Sequence, residues 1–427
     1  MNNDKRSHGL WEASAPASPP AERLCDDIAA DVVVIGAGFT GCSAALCLAE
    51  SGRRAVVLEA NEIGFGGSGR NVGLVNAGMW VMPDELPRQL GDVYGARLLE
   101  QLGNAPELVF DLVKRYDIDC QAITAGTLHC AADRKGWDEL SERARQWRAR
   151  GADVELLDAA ATERKVGSRA YCGALLDRRA GTIQPLAYVR GLAGAAIAQG
   201  AQIFNWSAAI RREDLGDRWK IMTASGSVTA PWVIVATDAY SHGIGSSLLD
   251  EQVLLPYFNL ATKPLSSNLQ NAILPERQGV WDTKQLLSSM RFDTDGRLIF
   301  GSVGALRGAG TSIHRNWSRR ELHRLFPALL DVEFEHEWYG QIGMTDNALP
   351  RFHRQDRNIL SISGFNGRGI APGTTFGRDL ARVAMGEIAV EDLSLPPSDM
   401  ASATFRSIKS AFFEAGSQAA HFVGSRF

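Results

Sequence analysis

The 427-residue sequence lacks several features that mark specialised classes of protein. No stretch of apolar residues is long enough to cross a bilayer, and residues 1–30 contain no apolar core like that of a signal peptide. Because these residues are polar and include the run SAPASPP, we expect a loosely packed N-terminal arm and a cytoplasmic location. The six cysteines form no Cys-x-x-Cys pair, so the sequence supports neither a metal site nor a disulfide framework.

Clusters of basic residues are also missing. The net charge is −4 and no run is rich in Lys or Arg, which disfavours nucleic acid as a partner. With 45% hydrophobic and 22% charged residues, the composition is that of an ordinary globular protein. Since 427 residues exceed one typical hydrophobic core, we expect two domains.

The segment from Asp31 to Glu59 has the pattern of a dinucleotide-binding βαβ unit. An apolar strand leads into Gly36-x-Gly38-x-x-Gly41, and a helical stretch and a second apolar strand follow. The glycines permit a tight turn and close approach of a pyrophosphate, which the helix N-terminus attracts. Glu59 lies 18 residues after Gly41, where a carboxylate accepts hydrogen bonds from a ribose. The alternative is a glycine-rich turn that binds no ligand. It does not explain why the strand, the helix, the spacing and the acidic residue all match a dinucleotide-binding unit.

Two further glycine-rich loops lie far apart in the sequence. The first runs from Gly64 to Gly73 and offers a hydroxyl, a cation and backbone N–H groups to a diphosphate or a flavin edge; the alternative is a flexible linker. The second, GFNGRG from Gly364 to Gly369, precedes a helix that we expect after Pro372. It could be a separate NAD site, but no second complete βαβ unit surrounds it. One long cofactor contacting both loops favours FAD, with electrons supplied by an organic substrate.

The arrangement of elements predicts a mixed α/β protein of two domains. A Rossmann-type FAD-binding domain is assembled from separated pieces, and an antiparallel-sheet substrate domain is inserted between them. The expected FAD-binding pieces are residues 31–95, 152–250 and 345–399. Residues 96–151 and 251–344 form the expected substrate-binding domain, and residues 400–427 a C-terminal helical tail that packs on the body or on a second subunit.

Several motifs resemble those of the D-amino-acid-oxidase/glycine-oxidase superfamily of FAD-dependent amine oxidoreductases, and most closely its γ-glutamylputrescine oxidase-like branch. They are LWEAS, ADVVVIGAGFTG, LEANEIGFGGSGRN, VIVATDAYS, RFDTDGRLIFGS, TDNALP and GFNGRGIAPGT, and they span nearly the whole chain. The nucleotide motif is shared by many flavoproteins, whereas SGRN together with GFNGRG is more specific. The resemblance implies that the flavin ring lies between the two domains.

The resemblance also implies which residues contact FAD. Its ADP part is expected next to Gly36, Ala37, Gly38, Phe39, Thr40, Gly41, Glu59 and Ala60, with the backbone of Ala209 at the adenine. The pyrophosphate and flavin are expected next to Gly67, Ser68, Gly69, Arg70, Asn71, Gly73 and Leu74. Further contacts are expected from Ala236, Thr237, Phe365, Asn366, Gly367, Arg368, Gly369, Ile370 and Thr374.

Two departures from the family pattern bear on the substrate and the cofactor. Relatives that oxidise free amino acids carry an arginine five residues before the Asp of the T-x-D-type motif, and here that position is Gln341. An amide cannot grip a carboxylate as an arginine does, so we expect an amine whose reacting carbon bears no carboxylate. Relatives with covalent flavin use a cysteine in this region. None of residues 339–345 is cysteine, so we expect FAD to be non-covalent.

Candidate residues for the substrate pocket come from the inserted sheet and the second loop. They are Arg291, Gln341, Trp281 and Arg368, with Trp80, Met290 and Trp338 as further wall residues, although core packing explains any single aromatic equally well. Lys263 either assists oxygen reduction or is a solvated lysine. The expected reaction passes a hydride from a neutral amine to the flavin, and the imine hydrolyses to an aldehyde. A homo-oligomer, a dehydrogenase serving a quinone or carrier protein, a tRNA-modification module and a non-catalytic flavin scaffold remain alternatives.

Overall fold

The computed structural model describes residues 8–424, which form ten α-helices and twenty strands. The helices are α1 Leu10–Ser14, α2 Phe39–Glu50, α3 Glu85–Arg115, α4 Arg134–Arg148, α5 Ala159–Val166, α6 Pro185–Ala198, α7 Ser267–Ala272, α8 Ala309–Leu325, α9 Ile370–Ala384 and α10 Arg406–Val423. The first ten strands are β1 Asp27–Ala29, β2 Val32–Ile35, β3 Ala55–Leu58, β4 Leu74–Val75, β5 Thr127–Ala131, β6 Val154–Asp158, β7 Gly173–Asp177, β8 Gly181–Thr182, β9 Gln202–Phe204 and β10 Arg211–Asp214. The others are β11 Trp219–Met222, β12 Ser227–Ala230, β13 Trp232–Val235, β14 Val253–Thr262, β15 Gly279–Asp282, β16 Ser288–Phe292, β17 Leu298–Val303, β18 Phe334–Met344, β19 Arg351–Asp356 and β20 Ile359–Ser363.

A six-stranded sheet contains the predicted βαβ unit. Its order is β19-β20-β13-β2-β3-β9, and every neighbouring pair is parallel except β19 with β20. Strands β2 and β3 are short runs of Val, Ile, Leu and Ala that are buried on both faces, as parallel strands between layers require. Helix α2 packs against both α6 and α9, which belong to distant parts of the sequence. The sheet is therefore assembled from separated segments.

An eight-stranded sheet lies on the other side of the molecule. Its order is β18-β14-β17-β16-β15-β5-β7-β6, and all pairs are antiparallel except β15 with β5. Strands β6 and β7 belong to this sheet, whereas the boundary expected at residue 152 assigns them to the FAD-binding domain. Both strands carry apolar residues that suit either sheet, so the local pattern did not reveal their partner. We therefore propose that the boundary falls after β7.

The smaller sheets complete the architecture. A four-stranded sheet of order β1-β12-β11-β10 joins the N-terminal segment to a hairpin that precedes β13. Strands β4 and β8 form a two-stranded antiparallel pair beside the first glycine-rich loop. No helix within residues 8–424 combines the length and the apolarity that a membrane span needs.

Residues 8–11 of the N-terminal segment are anchored on the body of the protein, contrary to the expected loose arm, whereas residues 12–23 are exposed or half-buried. Trp11 is fully buried, and its indole N–H donates to the backbone oxygen of Asn71 at 2.8 Å. The amide of Gln184 donates to the backbone oxygen of Trp11 at 2.9 Å, and the Trp11 ring meets Trp338 edge-on at 5.3 Å. The burial of Trp11 thus fixes this part of the segment to the body although the residues around it are polar. The start of the arm, residues 1–7, lies outside the described residues.

Candidate active site

A cavity of about 1240 Å³ lies between the six-stranded and eight-stranded sheets. It opens at the carboxyl ends of β2, β3 and β13, where ligands of open parallel sheets bind. Of the cofactor-binding residues predicted from the sequence, all line this cavity except Ala37, Gly41, Gly69, Gly73 and Thr374. The cavity therefore brings together the three glycine-rich segments that are far apart in the sequence.

The first glycine turn requires its glycines for two separate reasons. Gly36 has a φ of 102°, a conformation that residues with a side chain rarely adopt. A Cβ atom on Gly41 would lie 1.8 Å from the backbone oxygen of Gly36, so only glycine allows α2 to begin this close to β2. Although Gly41 does not line the cavity, it sets the position of the helix N-terminus. Backbone N–H groups in the first turn of α2 have no partner within the helix, and they favour an anion.

Glu59 lines the cavity beside the first glycine turn. Its carboxylate accepts hydrogen bonds from the N–H groups of Ala37 at 2.8 Å and Asn61 at 2.9 Å. Burial raises the pKa of Glu59, and these backbone donors oppose that shift. The carboxylate thus lies beside the glycine turn, as a ribose-binding acid must. Its contact with a ribose stays a prediction.

The first glycine-rich loop is held by its own hydrogen bonds, which excludes the alternative of a flexible linker. The N–H of Phe39 donates to the hydroxyl of Ser68 at 3.0 Å, joining the loop to the start of α2. The amide of Asn71 donates to the backbone oxygens of Gly67 and Ser68, each at 3.0 Å, and accepts from the N–H of Gly73 at 2.8 Å. The serine and asparagine of the SGRN motif therefore shape the loop from within.

Arg70 connects this loop to the eight-stranded sheet. The guanidinium is buried and donates to the backbone oxygens of Phe65 at 2.8 Å and Tyr339 at 3.3 Å. It also lies 5.0 Å from the centre of the Phe65 ring, within the range of a cation–π contact. Arg70 lines the cavity, so a positive charge lies at this part of its wall.

The second glycine-rich loop turns at Asn366, which has a φ of 53°. Its side-chain oxygen accepts from the N–H of Thr345 at 2.8 Å, and its backbone oxygen accepts from the indole of Trp80 at 2.6 Å. The N–H of Gly364 donates to Asp238 at 2.7 Å, and desolvation raises the pKa of Asp238 to about 6. Helix α9 begins at Ile370, three residues before the expected start after Pro372, and its N-terminus faces the cavity because Gly369 and Ile370 line it.

A cluster of Arg368 with two tryptophans forms another wall of the cavity. The guanidinium lies 4.7 Å from the ring centre of Trp80 and 4.8 Å from that of Trp281, and it donates to the backbone oxygen of Ala77 at 3.2 Å. The two tryptophans meet edge-on at 5.0 Å, and His129 stacks on the far side of Trp281. Burial lowers the pKa of Arg368 to about 9. Among the residues that the structure describes, no carboxylate forms a close ion pair with this buried cation, and Asp177 attracts it only from a distance.

Gln341 is placed in the cavity wall by strand β18. Its backbone N–H donates to the hydroxyl of Tyr240 at 2.8 Å, and its Cα partner in the sheet is Pro256 of β14. The side chain is exposed and lines the cavity together with Trp281 and Arg368. These three predicted pocket residues therefore share one cavity, although they come from three separate elements.

Arg291 needs a correction, because it does not line the cavity. Its side chain is 1% exposed and lies beneath the first loop, where it donates to the backbone oxygens of Ile183 and Phe292 and lies 5.6 Å from the ring of Trp11. Its surroundings are those of a structural cation, not of a substrate contact. A basic residue in a strand does not reveal from sequence which face of the sheet it occupies.

Other candidates also lie outside the cavity. Met290 and Trp338 are buried, and the indole of Trp338 donates to the backbone oxygen of Arg70 at 3.0 Å, so core packing explains both. Lys263 is 60% exposed and pairs with Glu333 at 2.6 Å, which fits a solvated lysine. The hydroxyl of Thr374 donates to the backbone oxygen of Ile370 at 2.8 Å, within helix α9.

Sequence reasoning missed two groups of cavity residues. The first comprises polar residues beside the loops: Asp238, Tyr240, Tyr257 and Ser289. Two of these lie in VIVATDAYS, so that motif held the relevant pattern. The second group belongs to residues 401–420, which no motif connects with a cavity.

The chain matches the family model described as FAD dependent oxidoreductase over residues 31–383. It is 35% identical over 388 residues to the gamma-glutamylputrescine oxidoreductase of Escherichia coli, covering 90% of each chain. It is 32% identical to the probable oxidoreductase OrdL of Haemophilus influenzae, covering 84% of this chain and 83% of that protein. The structure of glycine oxidase from Geobacillus kaustophilus superposes with a TM-score of 0.70 at 19% identity, covering 87% of this chain and all of that one. This last likeness concerns the fold.

Proposed function

The chain belongs to the family of FAD-dependent oxidoreductases and acts on the C–N bond of amine donors. We propose that its substrate is a primary or secondary amine that resembles γ-glutamylputrescine or a polyamine. The observation that carries the proposal is one cavity that joins the dinucleotide-binding turn to the wall of Gln341, Trp281 and Arg368. The 35% identity to a gamma-glutamylputrescine oxidoreductase supports the same class of amine.

The residues present fit FAD along the whole cavity. Glu59 provides a carboxylate for a ribose, and the N-terminus of α2 together with the first loop provides N–H groups for a diphosphate. The N-terminus of α9 supplies partial positive charge on the opposite side, where a reduced ring gains negative charge. Bound FAD supplies the two-electron acceptor. None of the described residues that line the cavity is cysteine, which supports non-covalent binding.

The protein's own residues favour a neutral amine. Trp80 and Trp281 remove water from this part of the cavity, and desolvation disfavours an ammonium ion. The guanidinium of Arg368, which lies against both tryptophan rings, adds a repulsion that lowers the pKa of a bound amine further. An unprotonated nitrogen can release electron density as the neighbouring C–H hydride leaves. The resulting imine then hydrolyses to an aldehyde and ammonia or a smaller amine.

Gln341 supports an amine without a carboxylate on its reacting carbon. Its uncharged amide stands in the cavity wall where amino-acid-oxidising relatives are expected to carry arginine. A second candidate function is favoured by Arg368, a cation that could bind such a carboxylate instead. The chain would then be a dehydrogenase of D-amino acids or N-methyl amino acids that passes electrons to a quinone or carrier.

Anaerobic bleaching of the flavin absorbance tests these alternatives directly. The panel contains γ-glutamylputrescine, putrescine, sarcosine and D-alanine. We expect fast bleaching by γ-glutamylputrescine. Bleaching by D-alanine or sarcosine, with none by γ-glutamylputrescine, would favour the second candidate. Rapid recovery of the absorbance in air would identify O2 as the acceptor, whereas slow recovery in air with fast recovery on adding a quinone would identify a dehydrogenase.

The variant Gln341→Arg tests the assignment of this position. We expect it to shift the ratio of kcat/KM about tenfold toward amines that carry an α-carboxylate, since a charged bidentate contact is added. Gln199→Arg adds the same charge at the exposed end of α6 and is the matched control. An unchanged ratio in Gln341→Arg would place this side chain outside the substrate's reach.

A further inference from the structure

The C-terminal segment forms part of the same cavity. Residues 401–404 line it, and α10 contributes one face. That face consists of Lys409, Phe412, Phe413, Gly416, Ser417 and Ala420, which recur every three or four residues. From Lys409 to Ala420 it extends about 17 Å along the helix axis. This wall is longer than a free amino acid needs.

The beginning of this segment is fastened to the entry of strand β14. The N–H groups of Ala401 and Ala403 donate to the Glu251 carboxylate at 2.7 Å and to the Asp250 backbone oxygen at 2.6 Å. The hydroxyl of Ser410 accepts from the N–H of Leu254 at 3.0 Å. Both backbone and side-chain contacts therefore hold the segment beside the cavity.

The far end of α10 is fastened to α8. The Nδ1 atoms of His314 and His421 share a hydrogen bond of 2.8 Å, and the His421 ring stacks on Trp317 at 3.7 Å. The guanidinium of Arg307 donates to Glu414 at 2.7 Å. Since both ends are tied, α10 is a fixed wall of the cavity.

Lys409 is the cation that this wall presents to the cavity. Its side chain is exposed, and no carboxylate pairs with it among the residues that the structure describes. Arg351, another cation of the lining, is already neutralised by Glu251 at 3.2 Å and Asp346 at 2.7 Å. A substrate carboxylate entering beside α10 therefore meets Lys409 as an uncompensated charge. The neighbouring ring of Phe412, which is 71% exposed, offers apolar surface to a methylene chain.

We propose that α10 determines substrate specificity, and that Lys409 binds a carboxylate on the part of the amine substrate remote from the oxidised carbon. The substrate class is thus an acylated diamine that ends in an amino-acid group. This inference rests on the proposed function and extends it, since it assigns recognition of the second end to a segment outside both sheets. Gln341 and Lys409 then have opposite roles: the first rejects a carboxylate at the reacting carbon, and the second requires one further away.

The test compares two amines of equal length, γ-glutamylputrescine and the analogue whose α-carboxylate is replaced by a carboxamide. The wild type should have a KM about tenfold lower for the carboxylate. Lys409→Gln should remove this preference by raising the KM for the carboxylate alone, with unchanged kcat and FAD absorbance. Lys409→Arg should retain the preference, because it preserves the charge.

Lys114→Gln, which removes an exposed lysine at the end of α3, is the matched control and should change neither KM. Equal KM values for the two amines in the wild type, or an unchanged preference in Lys409→Gln, would overturn the role of Lys409 while leaving amine oxidation intact. Failure of both amines to bleach the wild-type flavin would overturn the proposed function and this inference together.

Discussion

The two ends of the cavity are built in different ways. At the nucleotide end the lining comes mainly from two continuous glycine-rich segments, residues 36–40 and 65–74. At the substrate end the lining comes from side chains of segments far apart in the sequence, including Trp80, Trp281 and Arg368. The shape of a site lined by glycine-rich backbone is determined by the positions of the glycines. The shape of a site lined by side chains is determined by how distant elements pack. Substitutions at the nucleotide end should therefore mainly reduce FAD binding, whereas substitutions at the substrate end should mainly reduce the reaction rate.

The largest effect is expected from Gly41→Val at the nucleotide end. Its Cβ would lie 1.8 Å from the backbone oxygen of Gly36, so α2 must move away from the turn. We expect no detectable FAD absorbance in the purified protein and a lower midpoint of thermal unfolding. Gly52→Val is the control, because a Cβ there meets no atom within 4 Å, although its φ of 70° adds some strain. Normal flavin content in Gly41→Val would contradict the backbone account of this end.

At the substrate end, Arg368→Gln should spare the cofactor and impair the reaction. Loss of the buried guanidinium removes a charge that disfavours the ammonium form, and we expect kcat/KM to fall about a hundredfold. The pH at which kcat reaches half its plateau should rise, because the bound amine becomes more basic. Arg378→Gln, in the body of α9 and outside the cavity lining, is the control. Loss of FAD in Arg368→Gln would mean that its role lies with the cofactor.

A smaller effect is expected from Glu59→Gln. The N–H groups of Ala37 and Asn61 donate to different oxygens of the Glu59 carboxylate, so the single amide oxygen keeps only one of these hydrogen bonds, and the negative charge offered to a ribose is lost. We expect the Kd for FAD, measured by fluorescence quenching, to rise about tenfold while kcat at saturating FAD is unchanged. Glu62→Gln, an exposed neighbour, should leave the Kd unchanged. An unaltered Kd in Glu59→Gln would remove the ribose assignment.

The smallest effect is expected on the free energy of unfolding, through Asp282, a buried residue next to Trp281. Burial raises the pKa of Asp282 from 3.8 to about 6, so between these values the folded protein holds a proton that the unfolded chain has released. The free energy of unfolding therefore falls as pH rises through this window, by up to about 1.4 kcal/mol per pH unit. Asp282→Asn should remove this contribution in urea titrations at pH 4 to 6, whereas the exposed Asp217→Asn should not. An unchanged slope would mean that Asp282 is ionised throughout.

The contrast between the ends also explains what the sequence could predict. The turn at Gly36 to Gly41 was readable because strand, turn and helix are consecutive, and their conformational demands appear as glycines in fixed positions. The burial of Trp11 was not readable, since its partners Asn71, Gln184 and Trp338 are 60 or more residues away. The position of Arg291 beneath the first loop could not be predicted either, because its contacts also come from distant parts of the sequence. Periodicity indicated a helix near the C-terminus but not the cavity that α10 faces.

The dependence of one cavity on both the beginning and the end of the chain has a consequence for biosynthesis. A ribosome that has produced the turn at Gly36 must add more than 300 further residues before the loop at Gly364 emerges. A nascent chain thus carries half of a binding site, exposed and unable to enclose its ligand. The cofactor can therefore be enclosed only after the loop at Gly364 has emerged, and full-length protein without FAD should be less stable than the loaded protein.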